Sequence, residues 1–172
     1  MSGIDVTQGP ARTRGLPSRE ALAAVALSGS AILLVAAFLF QHLGGLEPCT
    51  LCILQRWPHA AALLLLPALA LRLRAAPLAG ALVMLVSAGM GGWHVGVEQG
   101  WWPGPDACSG VGDISAISPE ELLERIMATT AMGCDVVAWE MLGLSMAAWN
   151  MLASLGLAGV WVFAQLNPGA GR

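Results

Sequence analysis

Residues 47–71 read EPCTLCILQRWPHAAALLLLPALAL, so a C-x-x-C pair opens a long apolar run. Cys49 and Cys52 stand where water would give way to hydrocarbon, and Arg56 follows four residues after the second cysteine. A C-x-x-C pair forms a reactive disulfide, because one of its thiols can carry a lowered pKa. With a permanent cation one helical turn further in, the stretch suggests electron transfer between thiols and a molecule dissolved in a membrane.

The composition of the rest of the chain is that of a membrane protein. Of the 172 residues, 56% are hydrophobic and only 11% are charged, and the mean hydropathy is +0.69. Such values predict membrane spans rather than a globular core. A helix needs about 20 apolar residues to cross the hydrocarbon, and lipid admits only helices or closed barrels. We therefore predict an all-α membrane protein, a four-helix transmembrane bundle with spans at about 21–40, 53–71, 78–97 and 140–163.

The first apolar run is predicted to be a retained span rather than a cleaved signal peptide. It covers residues 21–40, which is longer than the hydrophobic region of a signal peptide, about 7–15 residues. The sequence Gln41-His42-Leu43 follows it, in place of a small-x-small cleavage site. Residues 20–166 are accordingly expected to form one transmembrane domain.

The arginines are distributed unequally between the two ends of the predicted spans. One end carries Arg12, Arg14, Arg19, Arg72, Arg74 and Arg172, whereas the other carries Arg56 and Arg125. The positive-inside rule then places both termini in the cytoplasm, with a disordered tail at 1–19 and a short tail at 167–172. The loops 41–52 and 98–135 face outward and hold all four cysteines, and in a bacterium that periplasmic side is oxidising.

The second outward loop is predicted to contain a short amphipathic helix that lies on the membrane surface. Ser118 is suited to cap it, Pro119 to occupy its first position, and Glu121 to complete a capping box. One face of this helix would present apolar side chains to the bilayer. These are Leu122, Leu123, Ile126 and Met127.

Four cysteines allow three pairings. The spacing favours a local Cys49–Cys52 pair and leaves Cys108–Cys134 as a bridge that closes the loop. Structural staples are an alternative, but a bond across so short a loop as 49–52 stabilises little. Zinc binding by all four cysteines is another, since zinc takes four tetrahedral ligands. The oxidising side and the lack of a second C-x-x-C disfavour it, so no metal ligand is assigned.

Residues 47–59 resemble the signature of the disulfide bond formation protein B (DsbB) family. That signature is C-x-L-C at the start of the second of four spans, with Gln or Glu and then Arg directly after it, as in Gln55-Arg56. The resemblance extends over roughly residues 20–165. It includes a cysteine pair in each outward loop and an amphipathic helix between Cys108 and Cys134.

The resemblance implies an enzyme of the bacterial inner membrane, a protein-dithiol:quinone oxidoreductase. Its partners would be a periplasmic DsbA-like oxidase of the thioredoxin fold, a membrane quinone (ubiquinone or menaquinone) and the lipid bilayer, with no nucleic acid. By position, Cys108 would form the mixed disulfide and release Cys134, which would attack Cys49 and free Cys52. The sequence contains no FAD, NAD or phosphate-binding motif, which leaves quinone as the acceptor.

Two residues are candidates for contact with the quinone. On a helix, Arg56 shares a face with Cys52, where a cation stabilises a thiolate and polarises a quinone carbonyl; the alternative is an arginine that snorkels to the interface. His94 lies in the region where the family has a polar residue that contacts quinone, although an ordinary interfacial histidine is an alternative. His42 and His59 are interpreted as interface residues.

Three other functions stay open. The first is a non-catalytic scaffold stapled by disulfides. The second is an enzyme that resembles vitamin K epoxide reductase, where however the C-x-x-C lies late in the chain. The third is a metal-binding membrane protein.

Two other motifs bear on packing. Gly92 and Gly96 form a G-x-x-x-G motif, which predicts close packing of helices. Trp101 and Trp102 are typical of the aromatic belt at a membrane interface.

Overall fold

The computed structural model describes residues 17–105, 108, 118–128 and 133–167. Within these ranges, four helical segments are long and apolar enough to cross a membrane. They are Arg19–His42, Thr50–Ala70, Ala76–Glu98 and Met146–Leu166. The prediction of an all-α, four-helix membrane protein is therefore confirmed. The outer parts of both predicted tails, 1–16 and 168–172, lie outside the described residues.

The chain forms seven helices and one small hairpin in the described ranges. In order these are α1 (Arg19–His42), α2 (Thr50–Leu54), α3 (Arg56–Leu63), α4 (Leu66–Ala70), α5 (Ala76–Glu98), α6 (Pro119–Ala128), β1 (Glu140–Met141), β2 (Leu144–Ser145) and α7 (Met146–Leu166).

The second span is divided into α2, α3 and α4, and its two prolines account for the divisions. Proline has no backbone N–H, so it cannot donate to the carbonyl four residues before it. Pro58 leaves the carbonyl of Leu54 without its helical donor, and α2 ends at Leu54. Pro67 does the same to Leu63, where α3 ends. The C-x-x-C pair therefore lies on a short helical segment that is separated from the deeper part of the span.

The predicted start of the fourth span, within 140–163, is wrong. Strands β1 and β2 pair there in an antiparallel hairpin. Leu142 and Gly143 form its turn with φ angles of 56° and 75°, the left-handed region that a hairpin turn requires. Ser145 then caps α7, because its Oγ accepts a hydrogen bond from the backbone N–H of Ala148 at 3.2 Å. A turn and a cap, rather than apolarity, thus decide where this helix begins.

The spans pack in a closed cycle in which α1 contacts α3 and α7, and α5 contacts the same two helices. The buried core is built mostly from small side chains, together with Met84 and Trp161, whereas many large aliphatic side chains face outward. Small residues at such interfaces allow close approach in lipid. At Gly91, a Cβ would lie 3.0 Å from the backbone nitrogen of Met151 on α7, so a larger residue there would push the two helices apart by a few tenths of an ångström.

The G-x-x-x-G motif serves two purposes instead of one helix–helix contact. Gly92 faces only the sulfur of Met151. A Cβ at Gly96 would instead overlap the indole ring of Trp102, in the loop after α5. The Nε1–H of Trp102 donates to the backbone carbonyl of Trp93 at 3.0 Å. The missing side chain at Gly96 therefore leaves a notch in α5, and the Trp102 ring that occupies this notch fixes the start of the outward loop.

The two ends of the bundle differ in chemistry. At one end, Arg19 donates through Nη2 to the backbone carbonyl of Leu73 at 2.7 Å, which ties the start of α1 to the arginine-bearing turn between spans two and three. At the other end lie the cysteines. Helix α6 begins at Pro119, and the backbone N–H of Glu121 donates to Ser118 Oγ at 3.2 Å. The side chains of most of its apolar face lie outside the described residues, so its position on the membrane stays a prediction.

Candidate active site

Cys49 is the residue that caps the N-terminus of α2. Its backbone is extended, and its Sγ accepts a hydrogen bond from the backbone N–H of Cys52 at 3.1 Å. The side chain of Cys49 is 4% exposed, while Cys52 is partly exposed. A hydrogen bond to the Cys52 sulfur, followed by burial, raises the pKa of the Cys49 thiol well above its usual range. Cys49 is thus held as a protonated donor beside Cys52.

The structure contains this pair as two free thiols, the reduced state of the predicted local disulfide. The other two cysteines, Cys108 and Cys134, are joined by a disulfide, as the spacing predicted. Both pairs meet in one buried cluster, which Leu51 and Val97 complete. The fold therefore brings together all four cysteines, although they lie on separate outward loops.

His94 lies directly beside Cys49. Its Nε2 is 3.6 Å from Cys49 Sγ, and its side chain is 3% exposed. On the same helix, one turn further on, Glu98 Oε1 lies 3.9 Å from His94 Nε2. Glu98 is held in turn by Ser145, whose Oγ donates to its Oε2 at 2.5 Å. His94 is therefore a partner of the cysteine pair and not an isolated interfacial residue.

A chain of hydrogen bonds runs from His94 into the membrane interior. Gln55 Nε2 donates to His94 Nδ1 at 2.7 Å, and Gln55 Oε1 accepts from Asn150 Nδ2 at 2.8 Å. Asn150 Oδ1 lies 2.9 Å from His59 Nε2, which also contacts Ser87 Oγ at 3.3 Å. In this arrangement His94 carries its proton on Nε2 and points it at Cys49. Turning both amides over would reverse every donor and acceptor in the chain and place that proton on Nδ1.

The interpretation of His59 as an interface residue is wrong. Its side chain is 2% exposed and lies in the bundle core, where its Nε2 is 2.9 Å from Oδ1 of Asn150 on α7. His42, in contrast, is exposed and stacks on Phe38 with ring centroids 6.2 Å apart. Of these two histidines, His59 therefore joins the polar chain and His42 does not.

Arg56 reaches toward α1. Its Nη1 donates to Gln41 Oε1 at 2.6 Å, and its guanidinium carbon lies 5.0 Å from the centroid of the Phe38 ring, within the range of a cation–π contact. The Nε of Arg56 is buried and has no hydrogen-bond partner among the described residues. The guanidinium group as a whole borders a cavity between the helices.

That cavity has a volume of about 430 Å³ and lies between α1, the start of the second span and α7. Cys52, Arg56 and His94 line its polar side, and apolar side chains such as Phe40 and Trp139 line the rest. Small-molecule sites are usually about 300–1,000 Å³, mostly apolar, with a few converging polar groups. The cavity therefore suits a flat apolar ring that carries polar oxygens, with the Arg56 guanidinium on its border.

Sequence reasoning missed Gln55, Asn150 and Glu98. The signal was nonetheless available, since polar residues recur at intervals of four within apolar spans. The pairs are Gln55 and His59 on the second span, His94 and Glu98 on the third, and Asn150 and Ser154 on the fourth. Polar side chains inside a span usually face the bundle interior and mark function.

Comparisons with known proteins identify the family that the chain resembles. A family model described as "Disulfide bond formation protein DsbB" matches residues 18–164. The disulfide bond formation protein B of Methylococcus capsulatus is 35% identical over 153 residues, which cover 83% of the chain and 91% of that protein. Its counterpart in Albidiferax ferrireducens is 33% identical over 159 residues, with 83% and 87% covered. No solved structure matches the chain.

Proposed function

The chain belongs to the DsbB family of disulfide bond formation proteins, and from this premise we propose that it oxidises a periplasmic dithiol protein and passes the electrons to a membrane quinone. The coarser part follows from the family and the four spans: this is a multi-pass membrane oxidoreductase of disulfide bond formation. The finer part concerns the partner, the acceptor and the direction of transfer. The observation that carries it is the single cluster of four cysteines beside a cavity lined by Cys52 and Arg56.

The proposed electron path begins at the outer disulfide. A thiolate of a DsbA-like thioredoxin-fold partner attacks Cys108, which forms a mixed disulfide and expels Cys134 as a thiolate. Cys134 attacks Cys49, breaking the Cys49–Cys52 bond and leaving Cys52 as a thiolate. The second partner thiolate then releases Cys108, which attacks Cys134 and frees Cys49. The partner leaves oxidised, the outer disulfide is restored, and the inner pair holds the two electrons.

The residues around the inner pair prepare it for re-oxidation. His94 contacts Cys49 and keeps it oriented, while the charge of Arg56 borders the cavity that Cys52 also lines. The apolar wall excludes water from this cavity, which strengthens the attraction between the cation and a thiolate. A quinone bound there accepts two electrons and two protons, so the inner disulfide can form again. Both ubiquinone and menaquinone satisfy this requirement.

We propose that the cysteine end of the bundle faces the periplasm in the bacterial inner membrane, with both termini in the cytoplasm. The tie between Arg19 and the turn at Leu73 supports this, because it gathers arginines at the opposite end. A Leu43→Cys variant should react with a membrane-impermeant maleimide in intact spheroplasts, since Leu43 is 81% exposed. An Arg74→Cys variant should react only after lysis. The reverse pattern would refute this orientation.

The test of the function is quinone reduction by the purified protein in detergent. Reduced thioredoxin-fold dithiol protein is the donor, and the loss of quinone ultraviolet absorbance is the readout for each quinone. Cys52→Ser and Cys108→Ser should abolish turnover. Leu43→Ser, which adds a serine at an exposed site nearby, should retain it. If folded protein reduces neither quinone, the scaffold function is favoured instead. If the cysteine variants turn over at the same rate, the proposed electron path through the cysteines is refuted.

A further inference from the structure

We propose that the reduced form of the inner cysteine pair is a binding site for one thiophilic divalent cation, Zn²⁺, with Cys49, Cys52 and His94 as ligands and Glu98 as the fourth. Their sulfur and nitrogen donor atoms, Cys49 Sγ, Cys52 Sγ and His94 Nε2, all lie within 4.8 Å of one another. This site differs from zinc binding by four cysteines, because the Cys108–Cys134 disulfide removes two of those ligands.

The distances between these atoms suit tetrahedral coordination. Zinc binds thiolate sulfur at about 2.3 Å and imidazole nitrogen at about 2.0–2.1 Å. At a tetrahedral angle these bonds place sulfur and nitrogen about 3.5–3.6 Å apart, and Cys49 Sγ lies 3.6 Å from His94 Nε2. Glu98 Oε1 lies 3.9 Å from the same nitrogen, and its carboxylate would rotate toward the two sulfur atoms to become the fourth ligand. The other two distances among the three ligand atoms are at most 4.8 Å.

The surroundings also provide what a ligating histidine requires. Such a histidine donates its second ring N–H to an oxygen, which fixes the ring and increases its basicity. Gln55 already faces His94 Nδ1 at 2.7 Å. If the amides of Gln55 and Asn150 turn over together, Gln55 presents Oε1 to Nδ1–H, and His94 Nε2 is free to ligate. The number of hydrogen bonds in the chain Gln55–Asn150–His59 stays the same, but the donor and the acceptor of each bond exchange roles.

Charge favours the same conclusion. Two thiolates and the Glu98 carboxylate would place three negative charges in a site with little exposure to water, which is costly. One divalent cation neutralises two of them, and Arg56, which lines the same cavity, provides a further positive charge. Binding replaces the thiol protons with the cation and changes no oxidation state. The disulfide form has no thiolates, so the cation binds only the reduced protein and holds it from re-oxidation.

The experiment is a titration in detergent of the full chain, with the inner cysteine pair reduced and the Cys108–Cys134 disulfide intact. Co²⁺ is the spectroscopic probe, and Zn²⁺ is titrated against a chromophoric chelator. We expect one cation per chain, together with the thiolate charge-transfer and intense visible bands of tetrahedral Co²⁺. Cys49→Ser and Cys52→Ser should lose the charge-transfer intensity. His94→Ala should weaken binding by about tenfold or more. His42→Ala is the matched control, because His42 is exposed, and it should bind normally.

Two outcomes would overturn the proposal. One is equal binding by reduced and oxidised protein, and the other is normal affinity in Cys49→Ser with retained helical circular dichroism. Either would mean adventitious surface binding only. The measurement uses neither a partner protein nor a quinone, so its failure leaves the proposed oxidoreductase function untouched. A failure of quinone reduction would equally leave the cation titration interpretable.

Discussion

Replacing Asn150 by leucine should destabilise the bundle, because this one side chain joins the second and fourth spans. Asn150 donates to Gln55 Oε1 at 2.8 Å and lies 2.9 Å from His59 Nε2. Leucine has a similar volume but can form neither hydrogen bond. In the variant, Gln55 loses a donor in a dry interior, and the His59 ring loses its nearest acceptor.

The expected cost follows from these two contacts. Interhelical hydrogen bonds in membrane proteins contribute about 0.6 kcal/mol on average and up to about 1.7 kcal/mol each. His59 retains Ser87 Oγ at 3.3 Å as a second partner. The loss of the bond between His59 and Asn150 should therefore cost about 0.6 kcal/mol, the average value. Within the described part of the chain, Gln55 has no such substitute for Asn150. The free energy of unfolding should fall by about 1–2 kcal/mol.

The assay is reversible unfolding in mixed micelles of mild detergent and sodium dodecyl sulfate, followed by tryptophan fluorescence and circular dichroism. Gln165→Leu is the matched control, because Gln165 lies on the same helix and is exposed. Surface substitutions of this kind usually change stability by less than about 0.5 kcal/mol. If Asn150→Leu and Gln165→Leu shift the unfolding free energy equally, the polar chain does not hold the second and fourth spans together.

Three further outcomes are expected from the site and its surroundings. Gly96→Ala should loosen the outward loop, because a Cβ there would overlap the Trp102 ring; faster proteolysis of that loop measures it, and an unchanged rate contradicts the notch. Arg56→Met should lower quinone reduction by about tenfold or more, since the cavity loses its cation; unchanged turnover would remove Arg56 from the site. In reduced protein, iodoacetamide should alkylate Cys52 before Cys49, which is buried and has a raised pKa; mass spectrometry of peptides reads the order, and Cys49 should react only as the pH rises.

The spans could be predicted from apolarity, because lipid imposes length and composition on any crossing helix. The residues at which the spans begin and end could not be predicted from apolarity, because turns and capping residues determine them. The fourth helix starts after the hairpin because Leu142 and Gly143 form a tight turn and Ser145 caps α7. The breaks in the second span could have been read from Pro58 and Pro67. The contact of Trp102 with Gly96 could not, because it depends on how the loop folds back.

The site was predictable to a different degree. The four cysteines, Arg56 and His94 were found from spacing and from family resemblance, and the structure brings Cys49, Cys52 and His94 within 4.8 Å of each other. Gln55 and Asn150 are separated by 95 residues along the chain. Their contact depends on how the second and fourth spans are oriented against each other, which no local pattern specifies. A polar residue within a span indicates an inward face, but it does not name its partner.

The polar chain connects the position of the inner cysteine pair to the packing of the bundle. His94 contacts Cys49, Gln55 holds His94, and Asn150 holds Gln55 from the opposite helix. Because amides donate on one side and accept on the other, the chain has two complete arrangements with equal numbers of hydrogen bonds. In one arrangement His94 Nε2 carries a proton that faces the Cys49 sulfur, and in the other the same nitrogen presents a lone pair to it. The same buried residues can therefore serve a thiol or a bound cation, and the group attached to the sulfur decides which arrangement the interior adopts.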